Sequence, residues 1–231
     1  MNLSPPKSPP RAPHNDQVVG VLLSGGQSRR MGGGDKALRD LGGRPMLSHV
    51  IERLRPQVGS MVINANGDPA RFATFELPVA ADTIDGFVGP LAGVLAGMMW
   101  ARQYCPAARW IATVSTDAPF LPADLVATLR AGVEHRPTAI AIAQSGAEVH
   151  PVIGLWPVAL ASDLDQALRA GVRKVLAWTD RHGTVPITFP FVTMAGVQID
   201  PFFNANHPEE LAEARRLLAL LRPLPTKATP L

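Results

Sequence analysis

Arg29, Arg30 and Lys36 stand in and just beyond a glycine-rich loop that begins at Ser24-Gly25-Gly26 and includes Gly32-Gly33-Gly34. Glycine lets backbone N–H groups approach a ligand closely, and guanidinium and ammonium groups neutralise phosphate charge. That combination suits a nucleoside triphosphate, with backbone groups for the base and cations for the phosphates. A second set of residues carries the complementary chemistry. Asn64, Asp82, Asp117 and Asn204 are carboxylates or amides at, or just past, the ends of predicted strands. A Mg²⁺ ion takes one or two carboxylates and fills its other positions with water and phosphate oxygens. Asp117 is the first choice of ligand, because it ends an apolar strand and precedes Ala118-Pro119-Phe120-Leu121-Pro122. Asp82 is the second.

Common phosphate motifs do not describe this loop. A P-loop requires G-x-x-x-x-G-K-[ST], whereas Lys36 lies between Asp35 and Ala37; the dinucleotide fingerprint G-x-G-x-x-G is absent too. Taken singly, each residue also has a plain structural reading. An Asp after a strand commonly serves as a turn residue or helix cap, and Asn64 and Asn66 are typical turn formers. Arg29 with Arg30, and Arg173 with Lys174, read as solvated charge. His150, before Pro151, reads as a hydrogen-bonded loop residue rather than a base. Joint occurrence in one order is what separates a site from these readings.

The elements that would position these groups alternate. Val18 to Leu23 is an apolar run of strand length, as expected of a strand buried on both faces. Helical spacing follows over Pro45–Leu54, then strands over Val58–Ala65 and Leu77–Ala81, and a helix from Gly89-Pro90 to about Gln103. A fourth strand at Trp110–Ser115, a helix over Pro122–Val133 and a fifth strand at Thr138–Ala143 continue the pattern. The second half is less regular, with strands expected at Val149–Leu155 and Val185–Phe189 and helices at Pro157–Ala170 and Arg173–Thr179. Asn206-His207-Pro208-Glu209-Glu210 opens a last helix to about Leu221, with a polar cap, proline in the first turn and acids against the macrodipole. Alternation of this kind predicts an α/β, Rossmann-like, doubly wound and mostly parallel sheet with helices on both faces. In such a sheet the carboxyl ends of the strands share one edge, so Asn64, Asp82, Asp117 and Asn204 can converge on one crevice.

The 231 residues suit one α/β domain over residues 17–222, flanked by proline-rich tails at 1–16 and 223–231 expected to be disordered. Of the net charge of +3, Lys7 and Arg11 against Asp16 contribute one unit and Lys227 another. The remaining +1 on the body argues against a nucleic-acid surface. Cys105 is the single cysteine, which excludes an internal disulfide and suits a reducing compartment and a structural role. Neither a signal-peptide pattern nor a membrane-length apolar run is present; Leu91–Ala101 is too short and carries two glycines. A soluble, cytoplasmic protein is expected.

Read as a whole, Leu23 to Lys36 resembles the signature L-x-G-G-x-S-x-R-M-G-x-x-K of nucleotidyltransferases, with one residue more between Gly32 and Lys36 than the signature has. Within that superfamily the chain is most similar to the MobA family, the molybdenum cofactor guanylyltransferases. Asn64-Ala65-Asn66, Asp82, Gly89-Pro90-Leu91-Ala92-Gly93, Asp117-Ala118-Pro119, His150-Pro151 and Asn204 to Leu211 extend the resemblance over roughly residues 18–221. It implies a fold like that of nucleotide-diphospho-sugar transferases. It implies that Leu23, Ser24 and Gly25 meet the guanine nucleotide through backbone groups, and that Lys36, Asn64, Asp82 and Asp117 complete the GTP site. Asp117 would hold Mg²⁺, Arg30 would steady the phosphates, and Asn204 and Asn206 would face the pterin. Ser24 replaces the family's usual Ala, and His207 a common Thr cap; neither removes a group that the chemistry needs.

The activity so implied is transfer of GMP from GTP to the terminal phosphate of molybdopterin, with release of pyrophosphate. The implied partners are GTP, molybdopterin, and proteins that deliver molybdopterin or mature molybdoenzymes, with no nucleic acid and no membrane. Two other readings compete: a cytidylyltransferase acting on molybdopterin or another small phosphate, and a nucleotide-binding regulator without turnover. The intact set Lys36, Asp82 and Asp117 counts against the regulator.

Overall fold

The computed structural model describes residues 15–25, 35–84, 86, 89–194 and 196–221. At its centre β1 (Val18–Leu23) is buried along its whole length. It pairs in parallel with β2 (Ser60–Asn64) on one side and β4 (Trp110–Ser115) on the other. β3 (Val79–Ala80) adds in parallel beyond β2. On the far side β6 (Glu148–Pro157) runs antiparallel to both β4 and β5 (Ala141–Ser145), and β7 (Val185–Phe189) returns parallel to β5. The order is β3-β2-β1-β4-β6-β5-β7, a mostly parallel sheet with one reversed strand.

Helices cover both faces, as the alternation predicts. α1 (Met46–Leu54) and α3 (Leu125–Gly132) pack with Leu22, Ile63 and Val114. α2 (Pro90–Tyr104), α4 (Ala161–Arg169) and α5 (Val175–Thr179) pack with Val21, Val62, Ile111 and Trp156 on the opposite face. Successive residues of β1 thus feed different cores, which is why neither face of the strand tolerates a polar residue. Cys105 caps the C-terminus of α2 as a half-buried free thiol packed against the second of these cores.

Several boundaries move from their predicted places. The helix expected from Pro122 starts at Leu125, the strand expected from Thr138 starts at Ala141, and the helix expected from Pro157 begins as a 3₁₀ turn at Val158–Leu160. His150 lies in strand β6, not in a loop. That strand must run antiparallel, because only Gly146 and Ala147 separate it from β5 and a parallel crossover needs a dozen residues or more. A hairpin of β8 (Val192–Met194) and β9 (Val197–Ile199) was not anticipated; three-residue strands are too short to show alternation. At the N-terminus, Asn15 and Asp16, expected in the tail, form a 3₁₀ turn with Gln17. The remainder of both expected tails lies outside the described residues. Among the described residues no helix is long and apolar enough to cross a membrane.

α6 (Pro208–Leu221) closes the described chain. Its Leu211, Ala214 and Leu217 pack on Leu41, Met46 and Phe120, beside α1 and the segment after β4. Glu210, in the first turn, accepts the backbone N–H groups of Asn206 and of His207, the latter at 2.9 Å, as in a capping box. This docking carries the segment from Asp200 to His207 across the carboxyl edge of the sheet, where Ala205 N–H donates to Asp117 O at 3.2 Å.

Candidate active site

β1 to β4 end on one edge, and the residues that follow them meet there. After Leu23 the chain turns out of the sheet; Ser24 N–H donates to Asn64 O at 2.9 Å, and Leu23 O accepts from Thr116 N–H and Thr116 Oγ1. Buried Ser24 Oγ has no hydrogen-bond partner among the described residues. At Gly25 a Cβ would meet no atom of the described residues within 4 Å, so this backbone borders open space. Arg30, predicted to steady phosphates, lies outside the described residues, as do Gly26, Arg29 and Gly32–Gly34.

Asn64, at the end of β2, is 4% exposed and aims its amide at the next strand end. Its Nδ2 donates to Ala80 O at 3.2 Å and to Asp82 Oδ1 at 2.9 Å. Asn66 Nδ2 donates to the other oxygen, Asp82 Oδ2, at 2.7 Å, and Asn66 Oδ1 accepts Asp82 N–H at 2.9 Å. Both carboxylate oxygens are therefore oriented by amide donors, and each keeps lone pairs for a ligand hydroxyl or N–H. Gly93 of α2 makes room for this arrangement. A Cβ there would collide with Asn64 Oδ1 and come within 2.8 Å of Leu23 Cδ2. The glycine in Gly89-Pro90-Leu91-Ala92-Gly93 thus lets the buried helix pass directly over the Asn64 amide.

Phosphate chemistry would be served a strand away. Lys36 opens a 3₁₀ turn, Lys36–Leu38, whose N-cap Asp35 accepts Ala37 N–H at 3.1 Å. Its Nζ donates to Asp117 Oδ2 and, at 2.5 Å, to Asn206 Oδ1. Ser115 Oγ donates to the other oxygen, Asp117 Oδ1. A cation from the first loop, a carboxylate past β4 and an amide before α6 so converge from positions 81 and 170 residues apart in sequence. Asn204 stands one residue before the Ala205–Asp117 backbone contact, and its buried Oδ1 has no partner among the described residues.

The structure brings Leu23, Ser24, Gly25, Lys36, Asn64, Asp82, Asp117, Asn204 and Asn206 to one sheet edge. Four neighbours escaped the sequence reading as working parts. Asn66 looks like a turn former, Ser115 like a strand residue and Glu210 like a dipole acid. Arg71 carries no signal at all, yet its Nε donates to Asp35 Oδ2 at 2.9 Å while Nη2 and Nη1 donate to Asn66 O at 2.7 Å and Asp68 O at 2.6 Å. One guanidinium therefore braces the turn that bears Lys36 against the turn that grips Asp82.

Comparison with known proteins agrees with this architecture. The model of a MobA-like NTP transferase domain matches residues 20–185. A Bradyrhizobium protein named molybdenum cofactor guanylyltransferase is 52% identical over 204 residues, covering 88% of this chain and 94% of the relative. Among solved structures, molybdopterin-guanine dinucleotide biosynthesis protein A from Archaeoglobus fulgidus superposes with a TM-score of 0.65 at 22% identity, covering 87% of this chain and 98% of that one. A Mycobacterium tuberculosis protein in complex with manganese shares the fold at a TM-score of 0.57 and 16% identity, covering 87% of this chain and 98% of its own.

Proposed function

The chain belongs to the MobA-like NTP transferase family, and from that membership and the strand-edge geometry we propose how it carries out guanylyl transfer to the molybdenum cofactor. It is a nucleotidyltransferase, and its reaction is GTP-dependent transfer of GMP in molybdenum cofactor synthesis. An oxygen of the pterin's terminal phosphate attacks the α-phosphorus of GTP. A new P–O bond forms, the α–β bridging bond breaks, and pyrophosphate leaves. The attacking phosphate is already anionic at neutral pH, so the protein has no proton to remove. Its work is positioning and neutralising charge.

The roles divide along the edge. Leu23, Ser24 and Gly25 offer backbone groups to the guanine, beside the open space at Gly25 and the unpartnered Ser24 hydroxyl. Asp82, oriented by Asn64 and Asn66, receives the nucleoside's hydroxyl or N–H donors. Lys36 turns from its protein partners to the phosphates, with Arg30 assisting. Asn204 and Asn206 face the pterin, and the unpartnered Asn204 Oδ1 is an acceptor ready for it.

Asp117 is the residue that would hold a Mg²⁺ ion. The fit is chemical: one carboxylate, its Oδ1 held by the Ser115 hydroxyl, suits a hard cation that takes one or two carboxylates and completes its shell with phosphate oxygens and water. Such an ion supplies charge neutralisation of the triphosphate. The single observation that carries the reading is the meeting of Lys36 with Asp117, a cation and a carboxylate joined at the mouth of the nucleotide edge. The test is pyrophosphate release by the purified protein with molybdopterin, Mg²⁺ and either GTP or CTP. Release with GTP alone is expected. Equal use of CTP would overturn the guanylyl assignment, and no release with either would overturn transfer itself.

A further inference from the structure

Buried His150 and Ser145 and half-buried Asp200 form a chain of polar groups that the transfer reaction does not use. Ser145 Oγ lies 2.7 Å from His150 Nε2 and 2.9 Å from Asp200 Oδ2. The direction of the chain follows from counting protons. A hydroxyl has one proton, and a carboxylate oxygen can only accept, so the Ser145 proton points to Asp200. Ser145 Oγ must then accept from His150, which fixes the imidazole proton on Nε2. Burial also pulls the His150 pKa below its ordinary value, with the charges of Asp200 and Glu148 opposing.

The far end of the chain is the start of the segment that bears Asn204 and Asn206. Asp200 Oδ1 accepts Phe202 N–H at 2.8 Å, and Asp200 O accepts Phe203 N–H at 3.1 Å. The His150 ring packs on the Phe202 ring with centroids 4.8 Å apart, and Phe189 meets that ring edge-on at 5.2 Å. Three residues later Ala205 N–H reaches Asp117 O. We infer that His150 is a positioning residue: through a one-way relay, Nε2–H to Ser145 to Asp200, it sets the segment that presents Asn204 and Asn206 to the second substrate. The inference rests on the assignment of those two asparagines to the pterin.

Two measurements on the full chain test it. The first is the imidazole tautomer, read from two-bond proton–nitrogen-15 spectra, with the His150 signals assigned by their loss in His150→Gln. The neutral Nε2–H form is expected. In Asp200→Asn the amide oxygen can keep Phe202 N–H while its NH₂ turns to Ser145, so the hydroxyl reverses and the imidazole proton moves to Nδ1. A wild-type Nδ1–H form, or a tautomer indifferent to Asp200→Asn, overturns the relay. The second is kinetic. Ser145→Ala should raise KM for molybdopterin about 3- to 10-fold, the size of one lost hydrogen bond, with KM for GTP changed less than twofold. His150→Gln, whose Nε2 amide still donates, should lose less than His150→Ala. Equal rises in both KM values, or none, would reduce the chain to core packing. A wild type that transfers nothing to molybdopterin would overturn the functional reading, while the spectra would still decide the relay.

Discussion

Asn66 and Asp82 hold each other twice, Asn66 Nδ2 donating to Asp82 Oδ2 at 2.7 Å and Asp82 N–H donating to Asn66 Oδ1 at 2.9 Å. The pair joins the ends of β2 and β3, so Asp82 is aimed before any ligand arrives. Asn66→Ala removes an orienting donor and leaves Asp82 N–H without its partner. Because the pair is exposed, water recovers part of the loss, and a GTP dissociation constant raised about 3- to 10-fold is expected by calorimetry. Asn66→Asp should be worse, since two carboxylates would then face each other. Unchanged affinity in a folded Asn66→Asp protein would remove the pair from the nucleotide site.

Asp117 and Lys36 should separate fold from turnover. Asp117→Ala leaves Lys36 its bond to Asn206 and leaves the Ala205 backbone bond intact, so thermal stability should change little. Most turnover should be lost, and titration with Mg²⁺ should not restore it. Lys36→Ala should slow transfer on the order of 10²–10³-fold, as expected for one preorganised charge donor. Near-normal rates in either folded variant would exclude that residue from the reaction.

Gly25 and Gly93 predict opposite phenotypes from the same change. Gly93→Ala forces a methyl against Asn64 Oδ1 and Leu23 in a buried contact, which should cost about 1–3 kcal/mol of stability and weaken GTP binding as well. Gly25→Ala meets open space, so its melting temperature should match the wild type. Its effect should appear only as a lower kcat/KM for GTP, where the added methyl stands against the base. Thermal unfolding with and without GTP distinguishes the two.

Arg71 should matter more than its partly exposed position suggests. Its fork spans Asp35, Asn66 and Asp68, and a lysine cannot reproduce that planar geometry. Arg71→Ala and Arg71→Lys should both lower kcat/KM for GTP several-fold with little change in stability. Full rescue by lysine would mean that charge alone is needed.

We propose that residues 17–222 act as one unit without the proline-rich termini, whose composition offers few residues able to build a core. Removing residues 1–14 should leave melting temperature and activity unchanged. Gln17 sets the limit, because its backbone O accepts Arg109 N–H at 2.9 Å and its Oε1 accepts from Arg130 Nη2 at 3.0 Å. A deletion through Gln17 should therefore lower the melting temperature measurably.

Local signals in the sequence were enough for β1, for the start of α6 and for the sheet class. A six-residue Val- and Leu-rich run is shorter than a typical buried helix and rich in β-branched residues, which favours a strand buried on both faces, and Pro208 with Glu209 and Glu210 favours a helix start. The strand-end rule likewise placed Asn64, Asp82 and Asp117 on one edge, because chain direction in parallel strands decides where their ends lie. Tertiary structure alone decided which side chains hold one another there. Lys36 finds Asp117 and Asn206, Arg71 finds Asp35, and His150 finds Asp200 through Ser145, across separations that no periodicity encodes. The same holds for Gly93, which reads as a weak helix residue until the Asn64 amide is seen beneath it. Periodicity records which face of an element is buried, because burial acts on every residue of that face. A hydrogen bond between two side chains acts on a single pair, and its partners become visible only when the packed helices and the turns between them bring the two strand ends together.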